Sequence, residues 1–241
     1  EMIQLINPEQ ESDLKPEDLP EELSILPIKN TVLFPGVVIP ITVTRQKSIR
    51  LIKKAYQGSR IIGVIAQKNK QAEEPNSDDL YRFGTVARII KMLVLPDGNT
   101  TIIIQGKNRF AIKEFLQDEP FMTAKVELEV EPTLDLESKE VKALVQSLKE
   151  AASKILKLNP DIPQEAQVAL DNIQSTGFLI HFVASNLNVE VPDKQKILET
   201  NNIIERGTLL LQYMLKEIQM LEIKHEIQKK NPGKSISWFK G

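Results

Sequence analysis

The 241-residue sequence contains no cysteine, and it has few histidines and aromatic residues. The absence of cysteine excludes disulfides, thiolate metal sites and cysteine nucleophiles, and it favours a reducing, cytoplasmic location. The two histidines, His181 and His225, are too few for the usual His-rich metal clusters. Aromatic residues make up only 5% of the chain, which argues against a surface on which nucleic-acid bases stack.

Long apolar runs and a dominant charge are also missing. No apolar run approaches the roughly 20 residues that a membrane-spanning helix needs, so no membrane partner is predicted. The net charge is −2 and the basic residues form no continuous block, so no nucleic-acid partner is predicted. Hydrophobic residues nevertheless make up 41% of the chain, which is enough for a packed core.

The sequence contains no recognisable catalytic set. No serine lies in a Gly-x-Ser-x-Gly turn, and His181 lies within the apolar segment FLIHFVA, which favours a buried structural histidine. Gly233-Lys234-Ser235 reproduces the end of a phosphate-binding loop, but that motif requires a further glycine where Gln228 stands. We therefore predict no catalytic, cofactor-binding or metal-binding residue in this chain.

The first half of the chain, from about residue 25 to residue 130, has the pattern of β-strands. Apolar runs and alternating residues predict strands over 61–66, 86–95, 100–105 and 122–130. The turn Pro96-Asp97-Gly98-Asn99 joins the second and third of these segments, which predicts a hairpin. Between Thr44 and Tyr56 the apolar spacing changes to three and four residues, which predicts one helix packed on the sheet.

After Pro132 the apolar residues recur at steps of three and four, which predicts helices. The predicted helices cover residues 141–155, 163–173, 178–187, 192–199 and 202–229. The last of them would be on the order of 40 Å long, which is longer than a small bundle needs. We therefore expect its end to project from the bundle.

The change of periodicity near Pro132 predicts two subdomains that meet across a limited interface. The β subdomain covers residues 24–130, and the helical bundle with its long terminal helix covers residues 131–230. An acidic, flexible lead-in over residues 1–23 precedes them. Residues 231–241 are expected to be a vector-derived tail.

Several segments occur in an order and spacing that one protease family shares. The most specific are the Phe34-Pro35-Gly36 turn within LPIKNTVLFPGVVIPITV and the stretch DLYRFGTVARI, with VIAQKN between them. LPDGNTTIIIQGKNRF follows, and then KLNPDIP and KQKILE in the helical half. Over about residues 24–230 the sequence resembles the amino-terminal domain of Lon, the ATP-dependent serine protease. From Asn231 onward it departs from the family pattern.

The resemblance implies an α+β fold in which a PUA-like β-barrel or sheet subdomain precedes a helical bundle with a long projecting helix. It implies a domain that recognises unfolded or damaged proteins, supports assembly of a hexamer, and delivers substrates to an ATPase and a serine–lysine protease domain. Those two domains are absent from this chain, so ATP and magnesium would be bound elsewhere in the parent endopeptidase, and the chain itself would be non-catalytic. The alternative is a PUA-like module that binds nucleic acid or a small ligand.

Six apolar residues occupy positions where turns and loops are expected to expose them. They are Phe34, Val37, Tyr81, Met92, Leu95 and Phe121. Exposed aromatic and methionine side chains give adaptable apolar contacts, which suit unfolded segments of varied sequence. These six are therefore the candidate substrate-binding residues, although each of them taken singly is more often a core residue.

Overall fold

The structure, a computed structural model, describes residues 14–232. Residues 1–13 of the predicted lead-in and residues 233–241 of the predicted tail lie outside the described part of the chain. The first region contains strands β1 (Glu22–Ile28), β2 (Val38–Val43), β3 (Ile61–Ala66), β4 (Phe83–Val94), β5 (Thr100–Gln117) and β6 (Thr123–Leu128), and helix α1 (Gln46–Gln57). The second region contains helices α2 (Lys139–Leu158), α3 (Glu165–Asn172), α4 (Thr176–Asn186), α5 (Val191–Glu199) and α6 (Ile203–Lys230).

The strands form one mixed sheet in the order β2-β5-β4-β3-β1-β6, in which only β1 and β3 run parallel. The 18-residue strand β5 pairs with β2 through its first half and with β6 through its second half. Because β6 also pairs with β1, the strands β5, β4, β3, β1 and β6 close into a ring. The predicted α+β fold with a β-barrel or sheet in the first region is therefore confirmed.

Two apolar cores fill the first region. One core lies between the sheet and the apolar face of α1, which buries Ile49, Leu51 and Ile52. The other core contains the fully buried ring of Phe110, and a β-carbon on Gly63 would lie 3.0 Å from that ring. The same β-carbon would lie 2.8 Å from Ile25 Cδ1, so a larger residue at position 63 would force both neighbouring side chains to shift.

Several helices begin at residues that favour a helix start. Ser138 Oγ accepts a hydrogen bond from the backbone N–H of Val141 at the start of α2, and Pro192 lies in the first turn of α5. Asn202 Oδ1 accepts hydrogen bonds from the first turn of α6. All five predicted helices of the second region are present, with ends shifted by three residues or fewer.

Helix α6 is 28 residues long, or about 42 Å. Its buried residues stop at Ile218, and the later apolar residues Met220, Ile223 and Ile227 are exposed. The end of α6 therefore projects from the bundle, as predicted. None of the described helices is both long and apolar enough to cross a bilayer.

The two regions share a core. The largest buried apolar cluster joins residues of α2, α4, α5 and α6 to Val32, Phe34, Val37 and Ala66 of the first region. Strand β1 also begins two residues before the predicted start of the β subdomain, and Leu23 is buried. The last two residues assigned to the flexible lead-in thus belong to the sheet.

Candidate functional site

Phe34 and Val37 flank the predicted turn, but the prediction that they are exposed is wrong. Both side chains are buried in the shared core, and the Phe34 ring stacks on the His181 imidazole with 6.1 Å between ring centroids. The turn folds inward because it lies directly against Gly106 of β5. Gly106 donates its N–H to the Val37 carbonyl at 2.9 Å, and a β-carbon at position 106 would collide with the Phe34 carbonyl.

The exposure predicted for Phe121 is also wrong. Phe121 is buried in the core beneath α1, with the Lys54 ammonium 5.5 Å from its ring centroid. Tyr81 is half-buried and packs at the boundary between two cores, where burial and the charge of Glu199 raise the pKa of its hydroxyl. These two residues and the turn residues therefore present little apolar surface to a partner.

Met92 and Leu95 lie on the β4–β5 hairpin, where several large apolar side chains are exposed close together. Leu95 is 38% exposed, and its neighbours Ile90, Leu93 and Val94 are 42%, 44% and 59% exposed. Met92 is half-buried against the core beneath α1. We call residues 90–99 the hairpin arm. Sequence reasoning missed Ile90, Leu93 and Val94, although the signal for Leu93 and Val94 was present in the uninterrupted apolar run MLVL.

The turn of the hairpin arm is well ordered by its own hydrogen bonds. Leu95 donates its N–H to the Asn99 carbonyl at 2.8 Å, and Gly98, with a φ of 86°, donates to the Leu95 carbonyl at 3.0 Å. Asp97 Oδ1 accepts from the Asn99 N–H at 2.9 Å. Glycine is needed at position 98 because a positive φ is unfavourable for other residues. The exposed apolar side chains are thus held on a defined strand rather than on a loose loop.

The hairpin arm extends beyond the ring of strands. Strand β3 pairs with β4 from Thr85 to Arg88, and within residues 14–232 no strand pairs with the outer side of β4 after Ile89. On the other side of the arm, β2 pairs with β5 as far as Thr100. Together with the adjoining parts of β5 and β2, the arm therefore forms a three-stranded extension with one edge formed by β2 and the other by β4.

A second candidate is a cleft of about 490 Å³ between the sheet and the helical bundle. Four ionisable residues meet at its base. Glu131 Oε1 accepts from Arg109 Nε at 2.7 Å and from Arg206 Nη2 at 3.0 Å. Arg206 Nη1 lies 2.9 Å from His181 Nε2. We call Arg109, Glu131, His181 and Arg206 the junction cluster.

The remaining guanidinium nitrogens bind backbone carbonyls at the end of α5. Arg109 donates to the carbonyls of Leu198 and Asn201, and Arg206 donates to those of Thr200 and Asn201. All three nitrogens of each arginine are engaged in this way. The cluster therefore ties the sheet, the linker after β6 and three helices together, and every nitrogen of its two arginines already has a partner within the protein.

Burial controls the charge states in the junction cluster. Burial, with the nearby charges of Arg206 and Arg109, holds the pKa of His181 well below its usual value, so the imidazole is neutral. Its Nε2 accepts from Arg206, which places the proton on Nδ1. Burial and the charge of Arg109 lower the pKa of Arg206 to about 10, against the opposing effect of Glu131, and Arg206 stays protonated at neutral pH. Among residues 14–232 the side-chain hydrogen-bond partner of His181 is Arg206 and not a nucleophile, so this contact serves the structure.

Comparisons with known proteins place this geometry in a family. A family model described as "ATP-dependent protease La (LON) substrate-binding domain" matches residues 22–216. The Lon protease of Cytophaga hutchinsonii is 60% identical over 230 residues, which cover 95% of this chain and 28% of that protein. The Lon protease of Flavobacterium johnsoniae is 49% identical over the same shares. The chain thus spans about 28% of the length of these relatives.

Solved structures agree on the fold. The N-terminal domain of a Mycobacterium avium complex Lon protease has a TM-score of 0.65 at 19% identity, covering 80% of this chain and 97% of that one. A Lon N-terminal domain protein from Xanthomonas campestris has a TM-score of 0.57 at 19% identity, covering 80% and 98%. Together with the family match, these comparisons show that the chain belongs to the family of Lon substrate-binding domains.

Proposed function

We propose that this domain binds apolar segments of unfolded or damaged proteins through the hairpin arm. The observation that carries the proposal is the cluster of Leu93, Val94 and Leu95, which a well-ordered turn holds exposed. Large exposed apolar groups cost free energy in water, and several of them together are typical of a binding surface. Unfolded proteins share exposed apolar sequence, so such a surface would separate them from folded ones.

The proposed contact residues differ in part from those that the sequence suggested. Met92 and Leu95 are kept, and Ile90, Leu93 and Val94 are added because they lie on the same arm. Phe34, Val37 and Phe121 are no longer proposed as contacts because their side chains are buried. Tyr81 is not kept either, because it packs at the boundary between two cores and lies outside the hairpin arm.

We further propose that the parent protein is a cytoplasmic, hexameric, ATP-dependent serine protease. In it, the ATPase module would bind ATP and magnesium, and a serine–lysine protease module would cleave the delivered chain. This domain would bind each segment with micromolar or weaker affinity, which corresponds to a binding free energy no more favourable than roughly −8 kcal/mol. The several copies in a hexamer would then raise the overall affinity through multivalency. The support for these proposals is the family membership.

The alternative, a module for nucleic acid or a small ligand, would use the cleft between the two regions. The engagement of every guanidinium nitrogen of Arg109 and Arg206 favours the protein-binding proposal instead.

Titration of fluorescently labelled unfolded casein against the 241-residue chain tests the proposal. The double variant Leu93→Ser/Leu95→Ser should bind casein at least about tenfold more weakly, the effect of losing roughly 1.4 kcal/mol of apolar contact. The matched control is Val168→Ser/Met220→Ser, which removes two apolar residues that are more exposed than Leu93 and Leu95 from α3 and α6 and should bind as the parent does. Circular dichroism should show that both variants are folded. Unchanged binding in the first variant would reject the hairpin arm.

A further inference from the structure

We propose that the hairpin arm binds its partner by β-strand addition. In this mode an extended, apolar segment of an unfolded polypeptide pairs its main chain with the outer edge of β4 between Ile90 and Leu95. The inference rests on the proposed function and adds the mode of binding to it. It follows from the register of the sheet, the direction of the backbone groups and the composition of the edge.

The register leaves the outer edge of β4 open over the length of the arm. The pairing of β3 with β4 ends at Ile61 and Arg88, and the last contact from that side is the Ile89 N–H donated to the Arg60 carbonyl at 2.8 Å. An irregularity in the β4–β5 register lies between Ile89 and Lys91, where β4 gains one residue over β5. Such a bulge bends the strand, and β4 continues here without an outer neighbour among the described residues.

The hydrogen bond at the turn establishes which backbone groups face this open edge. Leu95 donates its N–H to the Asn99 carbonyl across the hairpin, so the backbone N–H of residue 95 points toward β5. In an antiparallel ladder, hydrogen-bonded and non-hydrogen-bonded pairs alternate. The Leu93–Thr101 pair is therefore hydrogen-bonded, and Met92 and Val94, opposite Ile102 and Thr100, direct their N–H and C=O groups away from β5. These four groups form the pattern that an added strand requires.

The two edges of the arm are protected unequally. On β2, the other edge, Pro40 lies in mid-strand, and proline cannot donate a hydrogen bond to an added strand. The β4 edge has no proline between Phe83 and Leu95, and its segment Ile90–Leu95 contains five apolar residues and Lys91. A short segment of this kind, with high β-propensity and one charge, is the type that readily accepts another strand.

The occupant follows from the same features. Main-chain groups spaced along a strand edge pair with an extended chain and not with a helix. The exposed side chains of Leu93 and Val94 favour apolar residues in that chain. Arg88 and Lys91 are exposed on this strand, and no acidic residue lies between positions 86 and 95, so the preferred segment is neutral or acidic.

Proline substitution tests the open edge. Val94→Pro removes one outward N–H and should weaken binding of labelled unfolded casein at least tenfold, whereas Val94→Ala, which keeps the N–H, should weaken it less than threefold. The matched control is Thr42→Pro on the β2 edge, where the same alternation directs the N–H outward, and it should leave casein binding unchanged. Equal losses in Val94→Pro and Val94→Ala would overturn the inference.

Amide hydrogen exchange on the unmodified chain gives a second test, which does not require that a variant folds. At saturating unfolded casein, the amides of Met92 and Val94 should exchange at least tenfold more slowly than in the free chain. Those of Lys91 and Leu93, already paired with β5, should change little. If casein binds and the Met92 and Val94 amides are not protected, strand addition is wrong and the proposed function stands. If casein does not bind at all, the proposed function fails and this inference fails with it.

Discussion

The junction cluster and the hairpin arm place polar and apolar residues in opposite environments. Arg206, a charged residue, is 0% exposed, whereas Val94, an apolar residue, is 59% exposed. The cost of burying Arg206 is offset by Glu131, His181 and the carbonyls of Thr200 and Asn201. The arm shows no such compensation among the described residues. The difference teaches that the buried charges serve the structure of the domain, while the exposed apolar residues are left for a partner.

The largest expected effect comes from breaking the junction cluster. Arg206→Met should reduce the free energy of unfolding by about 3–5 kcal/mol, because it leaves the His181 nitrogen and the Thr200 carbonyl without their donor in a buried site. Urea denaturation followed by circular dichroism measures this change. The control Lys224→Met, on the exposed end of the same helix, should change stability by no more than about 0.5 kcal/mol. A loss below about 1 kcal/mol in Arg206→Met would show that the cluster is not a structural clamp.

A smaller effect is expected from the titration of His181. Its pKa is lowered in the folded state, so below the unfolded value of about 6.5 the unfolded chain binds a proton that the folded chain does not. This term therefore reduces stability as the pH falls below about 6.5, by up to about 1.4 kcal/mol per pH unit. Urea denaturation of the unmodified chain and of His181→Gln should be compared between pH 7.5 and pH 5. The free energy of unfolding should fall less steeply in His181→Gln, because glutamine keeps a hydrogen-bond acceptor but cannot titrate. Identical slopes in the two proteins would contradict a neutral, buried His181.

The smallest effect on stability is expected in the hairpin arm. Leu93→Ser/Leu95→Ser should change the free energy of unfolding by no more than about 1 kcal/mol, because each side chain is already exposed to water. Thermal unfolding would measure this change beside the binding titration. A loss as large as that of Arg206→Met would mean that the arm belongs to the core and that the contrast with the junction is false.

Periodicity predicted the elements whose environment is set locally. The five helices after Pro132, helix α1 and the β4–β5 hairpin all follow from spacing, caps and turn residues that lie within the element itself. The irregular strands were less clear. Strand β2 contains Pro40 and β1 contains Pro27, so neither segment shows a regular alternation of apolar and polar residues. In the structure both strands are held by pairing with strands distant in sequence.

The candidate site was harder to predict, because exposure depends on distant residues. The turn after Phe34 has the composition of a surface turn, but Gly106, seventy residues later, lets it pack inward. The hairpin was predicted, yet its exposed edge depends on where β3 stops pairing with β4. The junction cluster joins Arg109, Glu131, His181 and Arg206 from four separate elements, and no local spacing relates them.

The most direct test of the central claim is photo-crosslinking of a bound substrate to the residues that it contacts. Unfolded casein carrying a photoreactive diazirine would be bound to the 241-residue chain and irradiated, and the adducts located by peptide mass spectrometry. The account predicts adducts concentrated in residues 90–99, and an excess of unlabelled unfolded casein should reduce their yield. Adducts concentrated instead on the walls of the cleft, at Leu134, Leu136 and Phe178, would contradict it.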